Sequence, residues 1–183
     1  MSGFRPPRWS RMHRRPAPVG STALDERMMR RALELAHAAA GWGDTPVGAV
    51  VYETATGRVL GEGANRRERD GDPSGHAEVV AVRAAARAVG GWRLTGCTLV
   101  VTLEPCAMCA GLVVNARVGR LVFGAWDPKA GATGSLRRLT EDARLNHRLT
   151  PIGGVLGEEC GGVLREFFRA RRATKRRSDE ATG

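Results

Sequence analysis

Hydrophobic residues recur along this chain with two alternating periods. Leu24, Met28, Ala32, Leu35, Ala36 and Ala39 fall on one face of a helix. Ser21 or Thr22 stands where its N-cap belongs, Asp25 and Glu26 suit its first turn, and "GWGD" at 41–44 ends it. Two strands follow, "PVGAVVYE" (46–53) and "RVLGEGA" (58–64), around the turn "TATG". "GHAEVVAVRAAARAVG" (75–90) predicts a second, Ala-rich helix, "CTLVVTLE" (97–104) a strand, "CAMCAGLVVNAR" (106–117) a third helix and "GRLVFGA" (119–125) another strand. A polar stretch from Trp126 to Thr150 reads mainly as loop. "PIGGVLG" (151–157) is a short last strand, and "EECGGVLREFFRARR" (158–172) a final amphipathic helix. Strands alternating with helices predict an α/β class, with helices packed on a sheet of about five strands.

Composition adds two constraints. At 183 residues and 42 % hydrophobic content, the chain has the makings of one domain with a real core. It contains no apolar run long enough for a membrane span, and "MSGFRPPRWSRMHRRPAPVG" at 1–20 lacks the apolar block of a secretory signal. A reducing cytoplasm is therefore the expected location, and structural disulfides are disfavoured there. The division expected is a basic, disordered arm over 1–22, a folded domain over 23–172 and a basic to polar tail over 173–183.

Charge is concentrated at the two ends. The net charge is +10, of which residues 1–20 supply +5 and residues 165–177 supply +6. The last six residues return −2, which leaves +1 for the whole span 21–164. A near-neutral body with two basic ends suits an anionic polymer such as nucleic acid, although basic tails also serve solubility alone.

The chemistry is concentrated in "LEPCAMCAG" at 103–111. Cys106 and Cys109, two residues apart, could close a disulfide, run redox chemistry or hold a metal. Thirty residues upstream, "HAE" places His76 and Glu78 at the start of a predicted helix, as the two thiols open another. At i and i+3 the thiols share a helix face, and a helix N-terminus favours the thiolate that binds metal. One His and two Cys suit zinc and leave its fourth position open, whereas a structural zinc site normally closes with four protein ligands. Glu78 need not be a ligand: a carboxylate beside a metal-activated water can take its proton and pass it to a leaving group. Cys97 and Cys160 stand apart and read as buried, inert thiols. His13 belongs to the arm, His37 reads as packing or surface, and His147 lies in the polar loop, where it could contact substrate.

"HAE" (76–78) with "PCAMC" (105–109) resembles the H-x-E…P-C-x-x-C signature of the zinc nucleobase deaminases. "PVGAVV" (46–51), "GEGANR" (61–66), "VTLEPCAMCAG" (101–111), "VFGAWDPKAGATGSL" (122–136), "LNHR" (145–148) and the segment 158–172 are similar to the bacterial tRNA-specific adenosine deaminases within that group. The resemblance covers roughly residues 23–172. It implies a three-layer α/β/α cytidine deaminase-like fold, with a mixed sheet of about five strands and helices on both faces, and conversion of adenosine to inosine at the wobble position of a tRNA anticodon stem-loop. It implies one zinc ion per chain on His76, Cys106 and Cys109, with Glu78 as proton shuttle. It also implies a homodimer, contact of Asn65 with the target adenine, Val47 lining the base pocket and Asp127 meeting the ribose. Ala64, Trp126 and Pro128 depart from residues commoner in the family and flank the expected groove. Lys129, Arg169, Arg171 and Arg172 are the cations expected along the RNA backbone. A deaminase of a free nucleoside, nucleotide or base (cytidine, deoxycytidylate or guanine) carries the same zinc signature. A zinc-stabilised RNA-binding module and a Cys-x-x-Cys redox protein explain less of it, since neither needs Glu78.

Overall fold

A computed structural model describes residues 20–182, so nearly all of the expected N-terminal arm, His13 included, lies outside the described residues. The elements run α1 (Ala23–Gly41), β1 (Gly48–Glu53), β2 (Val59–Ala64), α2 (Arg67–Asp70), α3 (Ala77–Val89), β3 (Cys97–Leu103), α4 (Ala107–Asn115), β4 (Arg120–Ala125), β5 (Ile152–Gly153) and α5 (Gly157–Thr182). The five strands form one sheet in the order β2-β1-β3-β4-β5. β1 is antiparallel to both neighbours, while β3, β4 and β5 are parallel. The sheet is therefore mixed, as expected.

Each face of the sheet is covered. On one, Met28, Met29 and Ala32 of α1 and Cys160 of α5 pack on Val50, Tyr52, Val100 and Val122. On the other, Ala77, Ala81 and Val82 of α3 and Val113 of α4 pack on Val51, Leu99, Val101 and Phe123. The result is the expected α/β/α sandwich. None of the described helices is long and apolar enough to cross a membrane.

Contact between α3 and β2 is made by main chain. A Cβ added at Gly63 would stand 2.2 Å from the Ala77 carbonyl oxygen, and one at Gly61 would stand 2.3 Å from that of Ala81. Alanines on the helix face and glycines on the strand bring the two backbones together, with no side chain between.

Thr22 caps α1 through a capping box: its hydroxyl accepts from the Asp25 N–H at 3.1 Å, and the Asp25 carboxylate accepts from the Thr22 N–H at 2.8 Å. Asp25 is more than a first-turn acid. It is fully buried, and it also accepts from the Tyr52 hydroxyl at 2.6 Å and from Arg120 Nη2 at 3.0 Å. It thereby ties the start of α1 to β1 and β4. Burial alone would raise the Asp25 pKa, but the bonds from Arg120, Tyr52 and Thr22 outweigh it and hold the group below its usual 3.8. A depressed carboxyl stabilises the fold above the unfolded-state pKa and loses that contribution as pH falls through the folded value. Asp25→Asn is expected to cost about 2–4 kcal/mol at neutral pH by leaving Arg120 and Tyr52 poorly partnered. In urea titrations the gap to wild type should narrow as pH falls below 3.8. A gap independent of pH would separate the loss from the charge.

Three elements differ from the pattern read off the chain. α2 was not expected, and its cap comes from far away: the Asp44 carboxylate accepts from the N–H groups of Glu68 (2.9 Å) and Arg69 (3.0 Å). β5 shrinks to two residues because Gly154 turns the chain out with φ +92°. α5 continues ten residues beyond Arg172 to Thr182, with an Arg176–Glu180 ion pair at 3.6 Å on its exposed surface.

Candidate metal and catalytic site

β3 and β4 run parallel and finish at the same edge of the sheet, where antiparallel β1 begins. The candidate residues gather there. Leaving β3, the chain passes through Glu104 and Pro105 to Cys106, which is the N-cap of α4, and Cys109 lies in the first turn. His76 is the N-cap of α3. The His76 side chain makes no cap bond to its own helix and turns toward the two thiols.

His76 Nδ1 stands 3.7 Å from Cys106 Sγ and 3.5 Å from Cys109 Sγ, and the three donor atoms all lie within 4.8 Å of one another. With Zn–S near 2.3 Å and Zn–N near 2.1 Å, two donors of a tetrahedral zinc are about 3.6 Å apart. The three donors therefore fit a zinc ion. Soft thiolates with one imidazole exclude the hard cations that prefer oxygen. The hydrogen bond from Cys109 lowers the Cys106 pKa to about 3 against the opposing pull of burial. The same contact, then burial, then Glu78, pushes Cys109 up. His76 is raised chiefly by its contact with Cys106.

Glu78 occupies the first turn of α3 and is 4 % exposed. Burial raises its pKa, and the nearby His76 pulls it back only in part. Its carboxylate is close enough to shift the Cys109 thiol, and so lies beside the donor cluster without belonging to it.

Asn65 immediately follows β2, and the N–H of the next residue, Arg66, donates to the carbonyl of Gly75 at 2.9 Å, one residue before His76. Val47 accepts from the Asn65 N–H at 2.9 Å and belongs to the core beneath α3. Asp127 sits in the loop after β4, where its Oδ1 accepts from the N–H groups of Lys129 (2.9 Å) and Ala130 (3.2 Å). Lys129 is exposed in that turn. Arg169, Arg171 and Arg172 are exposed on α5. Arg171 lies over the Phe167 ring at 5.6 Å and, with Ala40 at the end of α1, lines a shallow groove. His147 is elsewhere: it bonds to the Val118 carbonyl at 2.8 Å, before β4 begins and at the opposite end of that strand from the cluster. Cys97 begins β3, six residues before its site end, and Cys160 packs from α5 on the other face; both are buried. His37 is exposed.

Two further buried acids stand at the site, and neither belongs to the H-x-E or P-C-x-x-C signature. Glu104, 2 % exposed, accepts from the N–H groups of Asp127 (3.0 Å), Thr133 (3.2 Å) and Ser135 (2.9 Å) and from the Ser135 hydroxyl. It gathers the loop after β4 around the strand that carries Cys106; Gly131 of that loop pairs with Cys106 itself. Asp44, with no exposure, holds α2 and Asn65. An acid closing an otherwise apolar strand is a usable signal for Glu104; nothing in "GWGD" distinguishes Asp44 from a helix-stop residue.

Comparison with known proteins agrees with this arrangement. Residues 22–125 match the family model described as cytidine and deoxycytidylate deaminase zinc-binding region. The chain is 48 % identical to the tRNA-specific adenosine deaminase of Haemophilus influenzae over 84 % of its length and 88 % of that protein. It is 45 % identical to the tRNA-specific adenosine deaminase of Bacillus subtilis over 83 % and 93 %. A solved structure from work on A-to-I editing by tRNA:A34 deaminases at the wobble position of transfer RNA superposes with a TM-score of 0.72 at 38 % identity, covering 75 % of this chain and 99 % of the other.

Proposed function

Since the chain belongs to the cytidine and deoxycytidylate deaminase zinc-binding family, we propose that it hydrolytically deaminates adenosine to inosine at the wobble position of a tRNA anticodon. The three-donor cluster of His76, Cys106 and Cys109 with a buried, non-ligand Glu78 beside it carries the hydrolytic deamination, and the 48 % and 45 % identity to tRNA-specific adenosine deaminases supports tRNA adenosine as the substrate. His76, Cys106 and Cys109 would hold one zinc ion per chain, which when bound supplies a Lewis acid that makes water acidic near neutral pH.

The remaining work falls to the side chains. Water adds at C6 of adenine and ammonia leaves, so one proton must reach a ring nitrogen and another the departing amine. Glu78 takes each proton and returns it, and ends the cycle as it began. Asn65 and Asp127 hold base and ribose, and Val47 closes the base pocket. An anticodon loop presents a base that is cheap to unstack, which a flipped-base mechanism needs. A tRNA substrate supports a cytoplasmic location. Exposed Met108 and Leu136 border the Cys106–Gly131 bridge and offer apolar surface to a second copy, which supports a homodimer.

The direct test incubates the zinc-loaded protein with an anticodon stem-loop bearing a wobble adenosine, and with free adenosine, cytidine and guanine. Inosine in the stem-loop alone is the expected outcome. Turnover of a free base without the stem-loop would move the assignment to the small-molecule deaminases.

The basic face of α5 gives a separate expectation. Arg169, Arg171 and Arg172 neutralise phosphates and release counterions. Their joint replacement by Gln should weaken stem-loop binding and flatten the log–log salt slope by roughly two, at about 0.7 per phosphate lost. Turnover at saturating RNA should change little, because phosphate contacts position the substrate and do not select the base. An unchanged affinity and slope would remove this helix from the RNA path.

A further inference from the structure

We propose that Asp44 is a positioning residue that fixes the orientation of the Asn65 amide, so that Asn65 offers a carbonyl acceptor to a donor group on the bound nucleoside. This rests on the reading above, in which Asn65 touches the target nucleoside.

Asp44 is completely shielded from solvent, and among the described residues no cation pairs with it. Its Oδ1 receives the Glu68 N–H at 2.9 Å and the Asn65 side-chain nitrogen at 3.3 Å, and its Oδ2 receives the Arg69 N–H at 3.0 Å. An ionised carboxylate only accepts hydrogen bonds, whereas an amide has one accepting and one donating end. The end of Asn65 that faces Asp44 must therefore be its NH₂, whichever way the amide would otherwise turn. The Asn65 Oδ1 then points away. It receives no hydrogen bond among the described residues and keeps contact with solvent, so its lone pairs are uncommitted.

The rest of Asn65 is already committed. Its N–H donates to Val47 at 2.9 Å, and its carbonyl accepts from Trp42 Nε1 at 3.1 Å. Trp42, Asp44 and Val47, all from the short connection between α1 and β1, thus grip one residue at three points and leave a single acceptor free. The chain continues from Asn65 into Arg66, whose N–H donates to the Gly75 carbonyl at 2.9 Å, so this residue lies at the start of the segment that carries His76. A flipped amide would present N–H groups there, lose the bond to a ligand donor and set two donors against each other.

The competing account makes Asp44 only a cap for α2. A double-mutant cycle separates the two. Single-turnover kcat/KM for a wobble-adenosine stem-loop would be measured for Asp44→Asn, Asn65→Ala and the pair, with zinc content and melting temperature recorded for each. Asp44→Ser is the second variant: its hydroxyl can still accept from α2, but it leaves the Asn65 amide unoriented. Each single change is expected to lower kcat/KM by roughly 10- to 100-fold at full zinc content. Either Asp44 change added to Asn65→Ala should cost no more than Asn65→Ala alone. Additive losses, or loss of the folded state in both Asp44 variants, would reduce Asp44 to a structural cap and overturn the proposal. An Asn65→Ala as active as wild type would overturn it while leaving the deaminase assignment intact. Wild-type protein that leaves the adenosine unconverted would overturn both.

Discussion

Glu78→Gln should retain its fold and its zinc and lose turnover by roughly 10²- to 10⁴-fold, the range that a positioned acid–base group contributes. Glutamine keeps the shape of the side chain, which matters for a residue only 4 % exposed against Ala77 and the core beneath α3. It cannot accept and return a proton at neutral pH. The loss should appear in kcat, with KM for the stem-loop nearly unchanged, because Glu78 acts on the reacting atoms and the RNA is held elsewhere. Rapid-quench measurement of inosine at saturating RNA checks it. A near-normal rate constant would end the shuttle assignment.

Cys106→Ser should release the zinc and abolish activity. The motive is the donor geometry: His76 Nδ1 lies 3.7 Å from Cys106 Sγ and 3.5 Å from Cys109 Sγ, and no fourth donor joins the cluster among the described residues. A three-donor site cannot lose one thiolate and keep tight binding, since a serine hydroxyl is a far weaker zinc ligand at neutral pH. Cys97→Ser and Cys160→Ser serve as controls that keep one zinc per chain, because both thiols are remote from the cluster. Metal analysis of the purified variants, with chelator titration of the wild type, decides the matter. Tight stoichiometric zinc in Cys106→Ser would remove that residue from the site.

The sheet order and the metal cluster differ in how far the chain alone discloses them. His76 and Cys106 were legible because each opens a helix directly, so local spacing carries the chemistry and topology only brings the two helix starts together. Alternating apolar strands and helices gave the α/β class for the same reason, and the three layers came with the family resemblance. Asp25 and Asp44 were not legible as core residues, and Glu104 only as an acid closing an otherwise apolar strand. Each satisfies its carboxylate with partners distant in the chain: Tyr52 and Arg120, the α2 amides, and the loop after β4. Such contacts leave no periodic trace. The last ten residues of α5 are not legible for a different reason. "ATKRRSDEAT" has no apolar face to reveal a helix, yet it contains neither Gly nor Pro, and propensity with side-chain pairing extends the helix.

The glycine–alanine contact between β2 and α3 bears on how well the active centre tolerates change elsewhere. An interface filled by side chains can absorb a distant substitution by exchanging rotamers, and its spacing drifts as it does so. At Gly63 and Ala77 there is no rotamer to exchange: main chain rests on main chain. The separation between the strand that delivers Asn65 and the helix that delivers His76 and Glu78 is therefore a stiff dimension of the molecule. Variation can accumulate in the outer layers without detuning the chemistry, whereas a single methyl group at Gly63 would act as a wedge and open the site from behind.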